Sequence, residues 1–114
     1  MRFKSIKPFT KDLKKLTKRF RTLPDDGETL KKVLTVSPDA HPPFSMEISG
    51  LGVKSCVIKV RKIACRSLPG KGSYTGLRLV YAWFEEEEKI VFVEIYFKGD
   101  KENEDRERIL EFFE

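Results

Sequence analysis

Thr75-Gly76-Leu77-Arg78-Leu79-Val80-Tyr81-Ala82-Trp83-Phe84, then Glu85-Glu86-Glu87-Glu88, then Lys89-Ile90-Val91-Phe92-Val93-Glu94-Ile95-Tyr96-Phe97-Lys98 decides the fold. The two outer runs are rich in β-branched and aromatic residues, and the four glutamates between them are a charged tip. The pattern is that of an antiparallel hairpin. In the first strand Leu77, Leu79, Tyr81 and Trp83 point one way and Arg78, Val80 and Ala82 the other, because strand side chains alternate. Upstream, Cys56–Arg66 carries Val57, Ile58 and Val60 and reads as a further strand. The loop Leu68-Pro69-Gly70-Lys71-Gly72-Ser73 separates it from the hairpin. Gly99-Asp100 breaks the last strand, and Glu102–Phe113 reads as a closing helix that docks through Ile109, Phe112 and Phe113.

On the N-terminal side, Arg2–Lys7 alternates as a short strand ending at Pro8. Thr10 is placed to cap a helix starting at Lys11. Leu13, Leu16, Phe20 and Leu23 give that helix an apolar face, opposite Lys11, Lys14, Lys15, Lys18 and Arg19. Pro24 interrupts it, and Asp25-Asp26 opens a second helix with Leu30, Val33 and Leu34 inside. Ser37–Pro43 is a loop. The order strand, helix, helix, three strands, helix predicts an α+β domain. An N-terminal helical hairpin packs on a small antiparallel sheet with a mixed edge, a C-terminal helix follows, and one sheet face is left free.

The chain has 114 residues and is expected to form a single domain over 1–114. No apolar run approaches the length of a membrane helix, and Met1-Arg2-Phe3-Lys4 has no apolar stretch behind it, so a cytoplasmic protein with no membrane contact is expected. Cys56 and Cys65 are expected as reduced thiols. With one histidine, His41, they make a poor ligand set, so no metal and no cofactor are expected.

The net charge of +5 is uneven. Residues 1–36 hold eleven Lys/Arg against four Asp/Glu, residues 37–81 seven against two, and residues 82–114 five against twelve. Such a basic first two-thirds attracts polyanions. Lys59 and Arg61 share one strand face, with Ile58, Val60 and Lys62 on the other. Arg78 lies on the next strand and Lys98 ends the last. If the strands are neighbours, Lys59, Arg61, Arg78 and Lys98 converge on the free face as candidate catalytic residues. Tyr96 shares Lys98's parity and is a candidate for stacking on a base. Arg66, Lys71 and Lys101 flank the face as further substrate-binding candidates.

These residue types suit RNA cleavage without a metal. The 2′-OH attacks the adjacent phosphorus, and fixed guanidinium donors hold the charge that grows on the phosphoryl oxygens. The same Lys/Arg alternation also serves as solvation or edge protection of a sheet. Glu94, among the strand residues, is a salt-bridge partner for Arg78 or Arg61, or a base. Gly70-Lys71-Gly72-Ser73 lacks the spacing and following helix of a phosphate loop.

Ile58-Lys59-Val60-Arg61, Gly76-Leu77-Arg78-Leu79-Val80-Tyr81 and Ile90 through Lys98 resemble the RelE/ParE superfamily, the toxins of type II toxin–antitoxin pairs. Pro69-Gly70-Lys71-Gly72 ahead of Gly76-Leu77-Arg78 is similar to its HigB side. The resemblance implies a RelE-like fold, a ribosome-dependent endonuclease that cuts mRNA, and a cognate antitoxin that wraps the toxin in a hetero-oligomer. By position it makes Lys59 a catalytic lysine, Arg78 the binder of the scissile phosphate, and Lys98 the lysine that ends the fourth RelE strand. Gly99 stands where the family has a catalytic arginine, and the family's C-terminal tyrosine has no counterpart in Lys101–Glu114. Those departures leave two alternatives open: a ParE-like inhibitor of DNA gyrase, and a non-toxic basic RNA-binding module.

Overall fold

The computed structural model describes residues 1–113. Five strands form one sheet in the order β1-β5-β4-β3-β2, with β1 Arg2–Ser5, β2 Ser45–Glu47, β3 Cys56–Val60, β4 Leu77–Phe84 and β5 Lys89–Phe97. β1 runs parallel to β5, and every other pair is antiparallel. The helices are α1 Lys7–Thr17, α2 Leu23–Val36 and α3 Arg106–Phe112. The α+β class, the helical hairpin and the mixed edge are therefore as expected.

The differences from the sequence reading have local causes. α1 begins at Lys7, not Lys11, with Pro8 in its first turn, where a missing N–H costs nothing. Thr10 does not cap it; its hydroxyl donates back to the Ile6 carbonyl at 3.4 Å. Pro24 likewise opens α2 rather than interrupting α1, followed by Asp25 and Asp26. β2 was not expected: three residues carry too little alternation to register. β3 stops at Val60 rather than continuing to Arg66, because the chain leaves the ladder there. Near the middle of the β4–β5 hairpin Val80 pairs with Glu94 but Tyr81 with Phe92, so Val93 bulges out of the ladder.

Leu79, Tyr81, Ile90, Phe92 and Ile95 from the hairpin, with Ile58 and Val60 from β3, meet Phe9, Leu16, Phe20, Leu23 and Leu34 of the helical hairpin in the main core. The expectation of a free second face fails. α3 lies on that side, where Ile109 sinks completely among Val57, Val80, Val93 and Tyr96. Ile48, Leu51 and Val53, from the stretch after β2, and Phe112 and Phe113 extend this smaller core. Full burial of a side chain the size of Ile109 is worth about 1.5–3 kcal/mol, and it anchors this helix of two turns together with the flanking contacts of Phe112 and Phe113. Asp105 caps that helix, accepting from the Arg108 backbone N–H at 3.1 Å. Two layers of helix thus sandwich the sheet, and only part of the second face stays open. Cys56 and Cys65 are both free thiols.

Candidate nucleic-acid interface

Strand register puts Lys59, Arg78 and Tyr96 on the α3 side of the sheet. Lys59 lies opposite Val80, Val80 opposite Glu94, and Arg78 opposite Tyr96. Arg61 and Lys98, one step beyond their strands, line the same cleft as Arg78. The predicted shared face therefore exists, but α3 and the turn before it divide it into a covered half and an open half.

In the covered half, Lys59 Nζ donates to Glu104 at 3.3 Å, with the two side chains 19% and 7% exposed. Glu94, 1% exposed, accepts from Lys101 Nζ and from the Asp105 backbone N–H at 2.8 Å. It is bound to Lys101, not to Arg78 or Arg61 as the sequence suggested. Lys101 also stands 5.3 Å over the Tyr96 ring. Tyr96 is buried, and burial, with Glu104 and Glu94 adding to it, pushes its phenol up to about 12. Its ring is occupied by protein and has no face left for a base. Arg108 completes the latch, pairing with Asp12 of α1 at 2.5 Å and donating to the Val93 carbonyl at 3.1 Å.

The open half is a cleft of about 370 Å³ lined by Pro43, Arg61, Lys62, Tyr74, Gly76, Arg78 and Lys98. Its geometry comes from the ends of β3, β4 and β5. Arg78 Nη1 donates to the Arg61 carbonyl at 2.8 Å and to its neighbour Leu77 at 3.2 Å, which fixes the guanidinium over the end of β3. Arg61 Nη1 rests 3.1 Å from Met46 Sδ of β2. The Gly76 carbonyl takes the Lys98 backbone N–H at 2.8 Å. Gly76 itself sits at φ +85°, and an added Cβ would come within 3.3 Å of the Phe97 ring. Tyr74 stands 73% exposed at the rim, with Lys62 Nζ 4.9 Å over its ring and 3.4 Å from its hydroxyl. Among the described residues none of Arg61, Lys62, Arg78 and Lys98 has a carboxylate partner. Four unneutralised cations and one exposed phenol therefore share one concavity.

Of the eight residues singled out in the sequence, the fold brings Arg61, Arg78 and Lys98 together in the cleft. Lys59, Tyr96 and Lys101 lie beneath or within the latch. Arg66 is elsewhere: its side chain pairs with Asp25 and Asp26 at the start of α2, each at 3.4 Å. Lys71 is exposed in the loop between β3 and β4 and does not line the cleft. Lys62 and Tyr74 were missed. Strand alternation assigned Lys62 to the opposite face, but that alternation ends at Val60. Tyr74 lies in a loop, held by one bridge between Ile63 and Tyr74, and no periodicity points to it.

A mixed five-stranded sheet behind an N-terminal helical hairpin is a RelE-like fold, and two solved structures share it. A chain of the archaeal RelE–RelB complex from Pyrococcus horikoshii OT3 is similar, with a TM-score of 0.56 and 17% identity over 86% of this chain and 94% of that one. A metal-bound toxin from Helicobacter pylori is similar at TM-score 0.55 and 20% identity, over 89% of this chain and 98% of that one. No family profile and no curated protein sequence matches the chain. Among the described residues no helix is long and apolar enough to cross a membrane, and no three His, Cys, Asp or Glu side chains are grouped to hold a metal ion.

Proposed function

We propose that this chain is the toxin of a toxin–antitoxin pair and that it cuts mRNA on the ribosome, in the cytoplasm. The single observation that carries the reading is the convergence of Arg61, Arg78 and Lys98, with Lys62 and Tyr74, around one cleft whose lining includes no carboxylate among the described residues. The fold it shares with an archaeal RelE solved with RelB supports an antitoxin as partner.

In this reading the scissile phosphate lies between Arg78 and Lys98. The 2′-oxygen forms a bond to phosphorus, the bond to the 5′-oxygen breaks, and a cyclic phosphate and a 5′-hydroxyl result. Charge grows on the non-bridging oxygens, and the Arg78 fork, already anchored by the Arg61 carbonyl, meets it without reorganising. One well-placed donor of this kind is worth roughly 3–4 kcal/mol. With neither imidazole nor carboxylate among the described lining residues, a neutral lysine amine, Lys62 or Lys98, takes the 2′-proton and the Tyr74 phenol gives a proton to the departing 5′-oxygen. Tyr74 supplies the exposed aromatic surface for a splayed base that Tyr96 does not. Lys59, engaged by Glu104, braces the cleft's covered edge.

Two observations favour a second reading, a ParE-like toxin that binds DNA gyrase and cuts nothing: Gly99 stands where the resemblance to RelE puts a catalytic arginine, and Lys59 is paired with Glu104. Pulse-labelling after induction separates the two. Protein synthesis stopping first, with primer extension mapping cuts inside translated messages, supports cleavage. Replication stopping first, with messages intact, supports gyrase. No growth defect at all would leave a basic RNA-binding module.

A further inference from the structure

α1 carries a second basic surface, separate from the cleft and unused by the reading above. At 100° per residue, Lys7, Lys11, Lys14 and Lys18 fall within a 60° arc, one turn of about 5.4 Å apart, and Lys15 flanks them. All five are exposed. None makes an ion pair among the described residues. The one acidic residue of the helix, Asp12, is turned away to Arg108 and to the Ile95 backbone N–H. Beside the stripe runs an open groove of about 680 Å³, lined by Thr10, Lys14, Lys18 and Arg21 and floored by Leu13 and Pro24. Lone lysines are usually solvation. Four in register, with no carboxylate paired to them, form a line of positive potential.

We infer that this stripe is a docking track for the phosphate backbone of duplex RNA. Two features select this occupant. The cations recur at a step comparable to that between successive phosphates on one strand, so several can be engaged at once. Among the described residues the exposed large hydrophobics are Met1, Val33, Val36, Met46, Tyr74 and Leu110, none of them on α1. A protein partner's binding energy concentrates in a few large buried anchors, and α1 exposes no large hydrophobic of its own to supply one, whereas a phosphate backbone needs only charge. The track reads no sequence. It adds affinity for folded RNA and leaves the cleft to handle a single strand.

The test is fluorescence anisotropy on the full chain with a 16-base-pair RNA duplex, at several salt concentrations. The triple variant K11E/K14E/K18E should bind the duplex at least tenfold more weakly. Replacing the three by Ala should lower the slope of log K against log salt by about three, near one for each phosphate no longer engaged. K54E, an exposed lysine that lines neither the groove beside the stripe nor the cleft, should bind the duplex as the native chain does. The three lysines are surface residues, and an unchanged melting temperature verifies the variants' fold. Unaltered duplex binding by the triple variant overturns the inference. So does equal competition by polyglutamate of matched charge, which would make the stripe a site for acidic protein.

Discussion

The Arg78 guanidinium is held by the backbone carbonyl of Arg61, Nη1 to O at 2.8 Å, across the pair formed by β3 and β4. Each arginine therefore shapes the cleft differently: Arg61 contributes its side chain as a cation and its backbone as the clamp on its neighbour. A guanidinium anchored at one nitrogen still offers the rest of its fork outward.

Arg78→Ala should abolish toxicity and lower single-turnover RNA cleavage by about 10²–10³-fold, the usual cost of one transition-state donor. Folding stability should fall by no more than about 1.5 kcal/mol, the worth of an ordinary hydrogen bond. Arg78→Lys should recover little, since an ammonium cannot hold the Arg61 carbonyl and a phosphate with the same fork. Growth curves, cleavage rates and urea melts measure the three quantities together.

Lys59 and Glu104 should behave as a structural pair. Lys59→Met leaves the nearly buried Glu104 carboxylate unpaired and should cost about 1–3 kcal/mol. Adding Glu104→Gln should return much of that loss, which a double-mutant cycle detects. The double variant should retain cleavage. A stable double variant that cannot cut RNA would mark Lys59 as a group that touches substrate.

Asp26 links α2 to the loop after β3. Burial by itself would raise its pKa, but hydrogen bonds from Thr22, Cys65 and both the backbone and side chain of Arg66 outweigh it and hold the carboxyl below its ordinary value. A lowered folded-state pKa means that the stabilisation is complete above about pH 4 and fades as the pH falls through the folded value. Asp26→Asn should thus lower stability by about 1–2 kcal/mol at neutral pH, and the gap between the two proteins should narrow in acid. A gap that stays constant from about pH 7 to about pH 2.5 contradicts the assignment.

Gly99, where the resemblance to RelE-type toxins leads one to expect an arginine, is held to a glycine by packing. A Cβ there would approach the Phe97 ring to 2.7 Å, and that ring packs against Phe20 and is capped by Arg19 at 5.2 Å. Gly99→Arg should therefore cost roughly 1–3 kcal/mol through overpacking and should not raise the cleavage rate. Thermal melts and single-turnover kinetics on this variant decide the point.

The alternation in Leu77–Phe84 and Lys89–Phe97 was enough to pair β4 with β5 and to sort Leu79, Tyr81, Arg78 and Tyr96 onto their faces. The spacing of Leu13 and Leu16 was enough to make α1 amphipathic, although the helix stops at Thr17, before Phe20. These features are periodic within a single stretch, and one stretch of chain contains all the information they need. The bulge at Val93, the three residues of β2 and the early end of β3 left no such trace, and the last of these misplaced Lys62.

By itself, then, the sequence determined the α+β class, the hairpin at its centre and the gathering of cations at the strand ends. Only the tertiary structure decided which of those cations are free. Lys59 and Lys101 were claimed by Glu104 and Glu94, and Arg66 by Asp25 and Asp26, while Arg61, Arg78 and Lys98 were left open beside Lys62 and Tyr74. The reason is physical: a side chain's direction follows from its own strand, but its neutralisation depends on a carboxylate that can lie far away along the chain, and only the folded path brings the two together.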